Sequence, residues 1–315
     1  MINFKKFFKT GFLFLGIALV GYIILILIWG DFKPDYLRSN LSYQKLASGH
    51  LTSRLKEVDS VSNVDILFLG SSRSYRHFDT RIFNKYGYKV FNLGSSSQTL
   101  IQTEYLVNKY YSKLNPKIVV LDLYPRMFYS DGVESTLDII SNDKTNWESV
   151  KLAFRHKNIK VINTLFYSIY RELIHSSNDL VEKRYKKQRN GLNDLYVKGG
   201  FVEKEIGYAT NEPSKDINIV LNTSQVEAFN NIVNKLKSDN NKIILVCSPM
   251  HESKFKQYQN FNVIDSLIYD KNLFLHKIIN LEGLDEVKHF YDPYHLNQNG
   301  VRIFDEYFIK NILNN

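Results

Sequence analysis

The chain carries one cysteine, Cys247, in 315 residues, so no intramolecular disulfide can brace it and no Cys-rich zinc site can form. Cys247 lies in the apolar run 243–247 with no basic cluster around it in sequence, and it reads as a small buried hydrophobe rather than a nucleophile. Neither the histidines nor the carboxylates show metal-ligand spacing, and no metal or cofactor is expected. The net charge of +9 comes from 41 Lys and Arg against 32 Asp and Glu, dispersed along the chain and gathered in no nucleic-acid motif. That pattern points away from nucleic acid and reads as a compositional bias, with some attraction to anionic envelope polymers or lipid head groups. Wholesale disorder is excluded by a hydrophobic content of 44%, with 14% aromatic residues.

Charge is missing altogether from residues 10–30, which are rich in Phe, Leu, Ile, Val and Gly. At about 1.5 Å per residue such a run spans roughly 30 Å, the hydrocarbon thickness of a bilayer. Lys5, Lys6 and Lys9 precede it, while Asp31, Lys33, Asp35 and Arg38 follow with no positive bias. The positive-inside rule then places the N-terminus in the cytoplasm and the main domain in the periplasm or outside the cell. A cleaved signal peptide fits less well, because the run is long and ends without an A-x-A-like site. Trp29 suits an interfacial anchor. The expected organisation is a cytoplasmic tail and transmembrane helix over 1–30, a stalk over 31–63 with one helix near 43–55, and a domain over 64–315 with an insertion at 125–222.

Within that domain the apolar runs 64–69, 89–93, 118–123 and 243–247 lack helical period and stop at Gly, Ser or Pro, as buried strands of a parallel sheet do. Amphipathic stretches at 75–86, 98–114 and from Ser224 onward separate them, the last opening on a capping-box match, Ser224 to Glu227. A weaker fifth strand is expected at 287–291, with a closing helix after Asn299-Gly300. Alternation of this kind predicts a three-layer α/β/α sandwich around a parallel sheet, with a mainly helical insertion. The insertion also holds a basic run, 183–189, which reads as a solvated face or, more sharply, as a polymer- or lipid-binding one.

Ligands of open α/β sheets bind beyond the carboxyl ends of the strands, and Ser72 stands just there, in Gly70-Ser71-Ser72-Arg73-Ser74 after the first strand. A serine needs a base and a group to orient that base. Asp292-Pro293-Tyr294-His295 offers both near the other end of the chain. His77 and His251 could also reach a cleft, although a surface or capping role suits each better.

These two segments resemble the first and last blocks of the SGNH (GDSL-like) hydrolase superfamily. The trailing His295-Leu296-Asn297, with Gly300, resembles membrane-anchored SGNH-like proteins of bacterial envelopes, including those of O-acetylation and D-alanylation of surface polymers. The resemblance implies Ser72 as nucleophile, His295 as base and Asp292 as its orienting group. It also implies an oxyanion site from the N–H groups of Ser72 and Gly94, which matches the second-block glycine, with Ser74 in the same turn. The third block, Gly-x-Asn-Asp, is replaced by Asp122-Leu123-Tyr124-Pro125, so the asparagine donor is absent. Either the Tyr124 hydroxyl replaces it or Asp122 shapes the turn.

The expected function is an exoplasmic serine esterase or O-acyltransferase, of acetyl above all, acting on an envelope glycan or acylated saccharide. Its partners by resemblance are the membrane and a multipass acyltransferase. The alternatives are an SGNH-shaped binding or assembly subunit without catalysis and, lower, a lipid esterase.

Overall fold

The computed structural model describes residues 4–46, 49–174, 185–187, 193–210 and 215–314. Five strands form the central sheet: β1 (Ile66–Gly70), β2 (Val90–Asn92), β3 (Ile118–Asp122), β7 (Lys242–Cys247) and β8 (Leu275–Lys277). They lie in the order β2-β1-β3-β7-β8 and all pair in parallel. This is the doubly wound order of flavodoxin-like sheets, whose ligand crevice opens where the winding reverses, between β1 and β3.

Successive side chains of a strand point to opposite faces, and the core divides accordingly. Leu67 and Leu69 of β1, Val119 and Leu121 of β3, and Leu245 of β7 pack on one side beneath the helices Leu100–Leu114 and Thr223–Ser238. Ile66, Phe68, Val120, Ile244 and Val246 point to the other side, against the helices Thr80–Lys85 and Gln298–Phe308. There Phe68 stacks on Phe78 at 4.4 Å, and Phe304 and Phe308 close over Phe78. Burying a ring of this size stabilises the fold by about 1.5–3 kcal/mol.

The sequence places the fifth strand at 287–291, but β8 occupies that position in the sheet. Phe290–Asp292 (β9) instead makes a small antiparallel hairpin with His295–Leu296 (β10). The physical reason is that β8 is a three-residue edge strand with one apolar residue turned inward, Leu275, so it leaves no apolar run to read.

The insertion begins with the helices Arg126–Tyr129, Val133–Asn142, Trp147–Arg155 and Ile159–Ile174, which bury a small core of their own through Leu137, Ile140, Ala153, Val161 and Leu165. It continues in an antiparallel sheet of β4 (Tyr185–Lys187), β5 (Asn193–Val197) and β6 (Phe201–Lys204) that the helical expectation did not contain. The basic run 183–189 lies outside the described residues apart from the backbone of β4.

Among the described residues one helix, Phe4–Phe32, is long and apolar enough to cross a membrane. The described part of residues 31–63, the expected stalk, touches the insertion. Leu41 is buried, and the backbone amides of Ser42, Gln44 and Leu46 are held by Thr164, Ser141 and Asn142 of the insertion. The expected helix near 43–55 is the shorter Leu51–Glu57.

Candidate active site

β1 ends at Gly70, whose φ of +145° and approach to the Asp122 backbone leave no room for a side chain; a Cβ would sit 2.8 Å from the Asp122 carbonyl oxygen. The chain reverses there into the helix Ser72–His77, capped by the Ser71 hydroxyl, which accepts the Arg73 N–H. Arg73 to His77 are buried, and Ser72, the least buried residue of this helix, lines the cleft with Arg73 behind it.

The β9–β10 hairpin brings the distant histidine to it. Ser72 Oγ lies 2.8 Å from His295 Nε2, and His295 Nδ1 lies 2.9 Å from both carboxylate oxygens of Asp292. With Nδ1–H donating to Asp292, the bare Nε2 accepts the serine proton. Asp292 Oδ1 also accepts the N–H groups of Tyr294 and His295, so the Pro293 turn fixes the carboxylate before it meets the ring. Burial pushes the Asp292 carboxyl upward, but His295 beside it and these hydrogen bonds outweigh that and hold it below the usual carboxylate range. Such an array can activate a hydroxyl for attack on a carbonyl.

Two buried polar groups brace this array, and neither stands out in the sequence. In the first, His77 Nε2 accepts the Leu296 N–H at 3.1 Å, which leaves Nδ1–H to donate to Ser248 Oγ at 2.8 Å. Ser248 Oγ in turn donates to Asp122 Oδ2 at 2.9 Å, and Arg73 donates to the Ser248 carbonyl. A bare Nε2 is what accepting the Leu296 N–H requires, and burial, with Arg73, His295 and Arg76 nearby, pushes the His77 pKa well down. In the second, Arg76 is paired with Asp194 at 2.8 Å, and Lys204 with the same carboxylate at 3.0 Å. The Arg76 guanidinium faces the ring of Tyr291 at 5.7 Å, and Tyr291 stacks on His295 at 5.4 Å with 5° between planes. The insertion sheet, through Asp194 of β5 and Lys204 of β6, therefore backs the ring that backs His295. The one sequence signal for these groups was three basic residues, Arg73, Arg76 and His77, in the six that follow the nucleophile turn.

Three expected oxyanion or substrate residues take other places. Ser74 is fully buried and its hydroxyl donates to Asn92 Oδ1, so it does not reach the cleft. Asp122 is buried behind Ser248, from which it accepts two hydrogen bonds, and it holds β3 to β7 without facing substrate. Gly94 packs against the Gly70–Ser71 backbone, where a Cβ would meet the Ser71 oxygen at 2.9 Å. Its N–H, however, donates to Asn92 Oδ1 at 2.9 Å and is engaged within its own turn. Tyr124 does line the cleft. His251 is buried, its Nε2 3.0 Å from the Glu286 carbonyl.

The cleft at Ser72 and His295 has a volume of about 480 Å³ and is walled by Tyr124, Tyr129, Tyr258 and Tyr294, with exposed Arg126 at its margin. A larger cavity, about 700 Å³, lies between Lys45, Asp59, Asp143 and Glu172, and no histidine is among the described residues that line it. Among the described residues no group of three His, Cys, Asp or Glu could hold a metal ion.

Fold and geometry together define a class: an α/β protein with a hydrogen-bonded Ser–His–Asp array at the carboxyl edge of a doubly wound sheet. No protein-family model matches the chain, and no curated protein matches it in sequence. Among solved structures it is similar to a "putative acylhydrolase" from Bacteroides fragilis, at 12% identity and a TM-score of 0.40, with 84% of this chain and 97% of that one covered.

Proposed function

We propose that the chain is a membrane-anchored serine esterase or O-acyltransferase whose catalytic domain faces the periplasm or the cell exterior, and that it acts on small acyl groups, acetyl above all, of an envelope glycan. The observation that carries this reading is the 2.8 Å contact between Ser72 Oγ and His295 Nε2, made by residues 223 apart in the chain. Ser72 Oγ attacks the acyl carbonyl and passes its proton to His295 Nε2. Asp292 holds the resulting imidazolium, and His295 returns the proton to the departing sugar oxygen. Water then releases the acyl group as acid, or a second sugar hydroxyl accepts it. The Ser72 N–H, in the first turn of its helix, has no intrahelical carbonyl to serve and is one donor for the oxyanion. The Tyr124 hydroxyl is the second.

The tyrosine walls support a saccharide, since aromatic faces cover the C–H faces of a sugar while their hydroxyls meet its oxygens. Transfer with a multipass acyltransferase as donor is one form of the same reading. The experiment is acetate release from, or acetyl transfer to, O-acetylated envelope polysaccharide by the full chain in detergent, compared with Ser72→Ala. The reading fails if the two proteins behave alike.

A second reading, a polymer-binding subunit without turnover, is favoured by one observation: the Gly94 N–H is bonded to Asn92 and no third-block asparagine stands in for it. That subunit would retain polysaccharide in a pull-down with the wild-type chain and with Ser72→Ala alike, and would release no acetate.

A further inference from the structure

We propose that the turn joining the helices Trp147–Arg155 and Ile159–Ile174 is a membrane-contact element, dipping into the outer leaflet beside the transmembrane helix. The inference rests on the reading of Phe4–Phe32 as membrane-spanning.

The geometry begins with how that helix leaves the domain. Its last third is clamped along Ile159–Ile174: Tyr22 is hydrogen-bonded to Asn163, Gly30 lies against the Tyr167 ring, and Asp31 accepts the hydroxyls of Tyr167 and Tyr170. Gly30 is required there, because the Tyr167 ring occupies the space of a Cβ. Rising numbers on one helix meet rising numbers on the other, so the two run parallel. The start of Ile159–Ile174 therefore points back toward the cytoplasmic end of the membrane helix.

Length then decides where the bilayer surface falls. From Phe4 to Tyr22 the helix rises about 27 Å, and from Lys9 about 20 Å, against a hydrocarbon core of about 30 Å. Tilt only shortens this span. The level of Tyr22 and Asn163 thus lies inside the outer boundary of the apolar layer. Ile159, four residues before Asn163, sits about 6 Å deeper.

The surface at that level has the composition such a place demands. Phe154 is 56% exposed and Ile159 51% exposed, and Lys157 is exposed between them with Lys160 on the next turn. Apolar tips flanked by lysines are how interfacial elements enter the headgroup and acyl boundary, typically by about 5–10 Å. From the level of Tyr22 and Asn163 outward, over the next two turns of the membrane helix, an apolar groove of about 450 Å³, lined by Leu25, Ile26, Trp29, Leu37 and Leu41, opens beside it. Its occupant is a phospholipid acyl chain of the same leaflet. The domain is thereby fixed face-down on the membrane and does not swing on a tether.

Nitroxide labels on Phe154→Cys, Ile159→Cys, Leu15→Cys and Tyr269→Cys test this in the full chain, reconstituted in vesicles of phosphatidylglycerol and phosphatidylcholine. The native Cys247 is fully buried, so it contributes no label. Collision with oxygen, which concentrates in lipid, is compared with collision with a water-soluble nickel chelate. The labels at 154 and 159 are expected to favour oxygen several-fold, as at 15, while 269 favours nickel. Lipid exposure at 15 with water exposure at 154 and 159 overturns the inference alone, and shielding of 154 and 159 from both reagents assigns them to protein contact and overturns it too. Water exposure at 15 overturns the membrane-spanning reading and this inference with it.

Discussion

The imidazole of His77, in the helix that carries Ser72, accepts the backbone N–H of Leu296, the residue that follows His295. One ring thus joins the two distant segments of the site from behind, at a point where neither can slide without breaking a buried hydrogen bond. His77→Phe keeps the packing against Phe304 but strands the Leu296 amide, while the Ser248 hydroxyl keeps Asp122 and Arg73. Each buried group left without a partner costs roughly 1–3 kcal/mol. Small displacements of a catalytic pair reduce rate by about 10²-fold. The turnover number for acyl release should fall by that order with KM little changed, while circular dichroism shows the fold retained.

The same ring gives a pH dependence. The folded pKa of His77 is depressed from an ordinary 6.5, so the unfolded chain binds the proton first as pH falls. Its contribution to stability is therefore fully present above 6.5 and lost as pH falls through the depressed folded value. Asp292, also depressed from an ordinary 3.8, contributes above that value and is lost below it. Urea midpoints measured on both sides of pH 6.5 should fall toward acid, and His77→Phe should flatten the step nearest 6.5 while leaving the more acidic one.

Asp194 balances two buried cations, Arg76 and Lys204, and is itself fully buried. Removing one partner of a buried ion pair costs about 3–5 kcal/mol, because the charge left behind is uncompensated. Asp194→Asn should lower the unfolding free energy by that amount in denaturant titration. It should also loosen Tyr291 from His295, seen as a slower acylation rate in the folded fraction.

Tyr124→Phe tests the proposed oxyanion role of this hydroxyl apart from its ring in the cleft wall. The substitution keeps the ring over which Arg73 lies and removes only the hydroxyl. Loss of one oxyanion donor costs about 10²–10³-fold in turnover, and a decline of that order is expected with binding of saccharide retained in a pull-down.

Much of this was legible in the sequence, for reasons that differ by segment. β1, β3 and β7 are apolar on both faces, which is what a sheet covered by helices on both sides requires, so they read as continuous runs. β8 does not, being short and at the edge. Residues 31–63 read as a stalk because they attach through single polar contacts such as Ser42 to Thr164, which leave no periodic trace. The Ser72, Asp292 and His295 positions were readable because each sits in a short motif at a predicted strand end. Arg73, Arg76 and Asp194 were not, since a lone sequence gives no means of telling a buried, paired charge from a solvated one.

The central claim is that His295 activates Ser72. Intact-mass analysis of the full chain treated with a fluorophosphonate tests it most directly, with Ser72→Ala and His295→Ala alongside. The account predicts one adduct on the wild type, mapped to Ser72, none on Ser72→Ala, and labelling slowed by about 10⁴-fold on His295→Ala. An unlabelled but folded wild type, or equal labelling of His295→Ala, would contradict it.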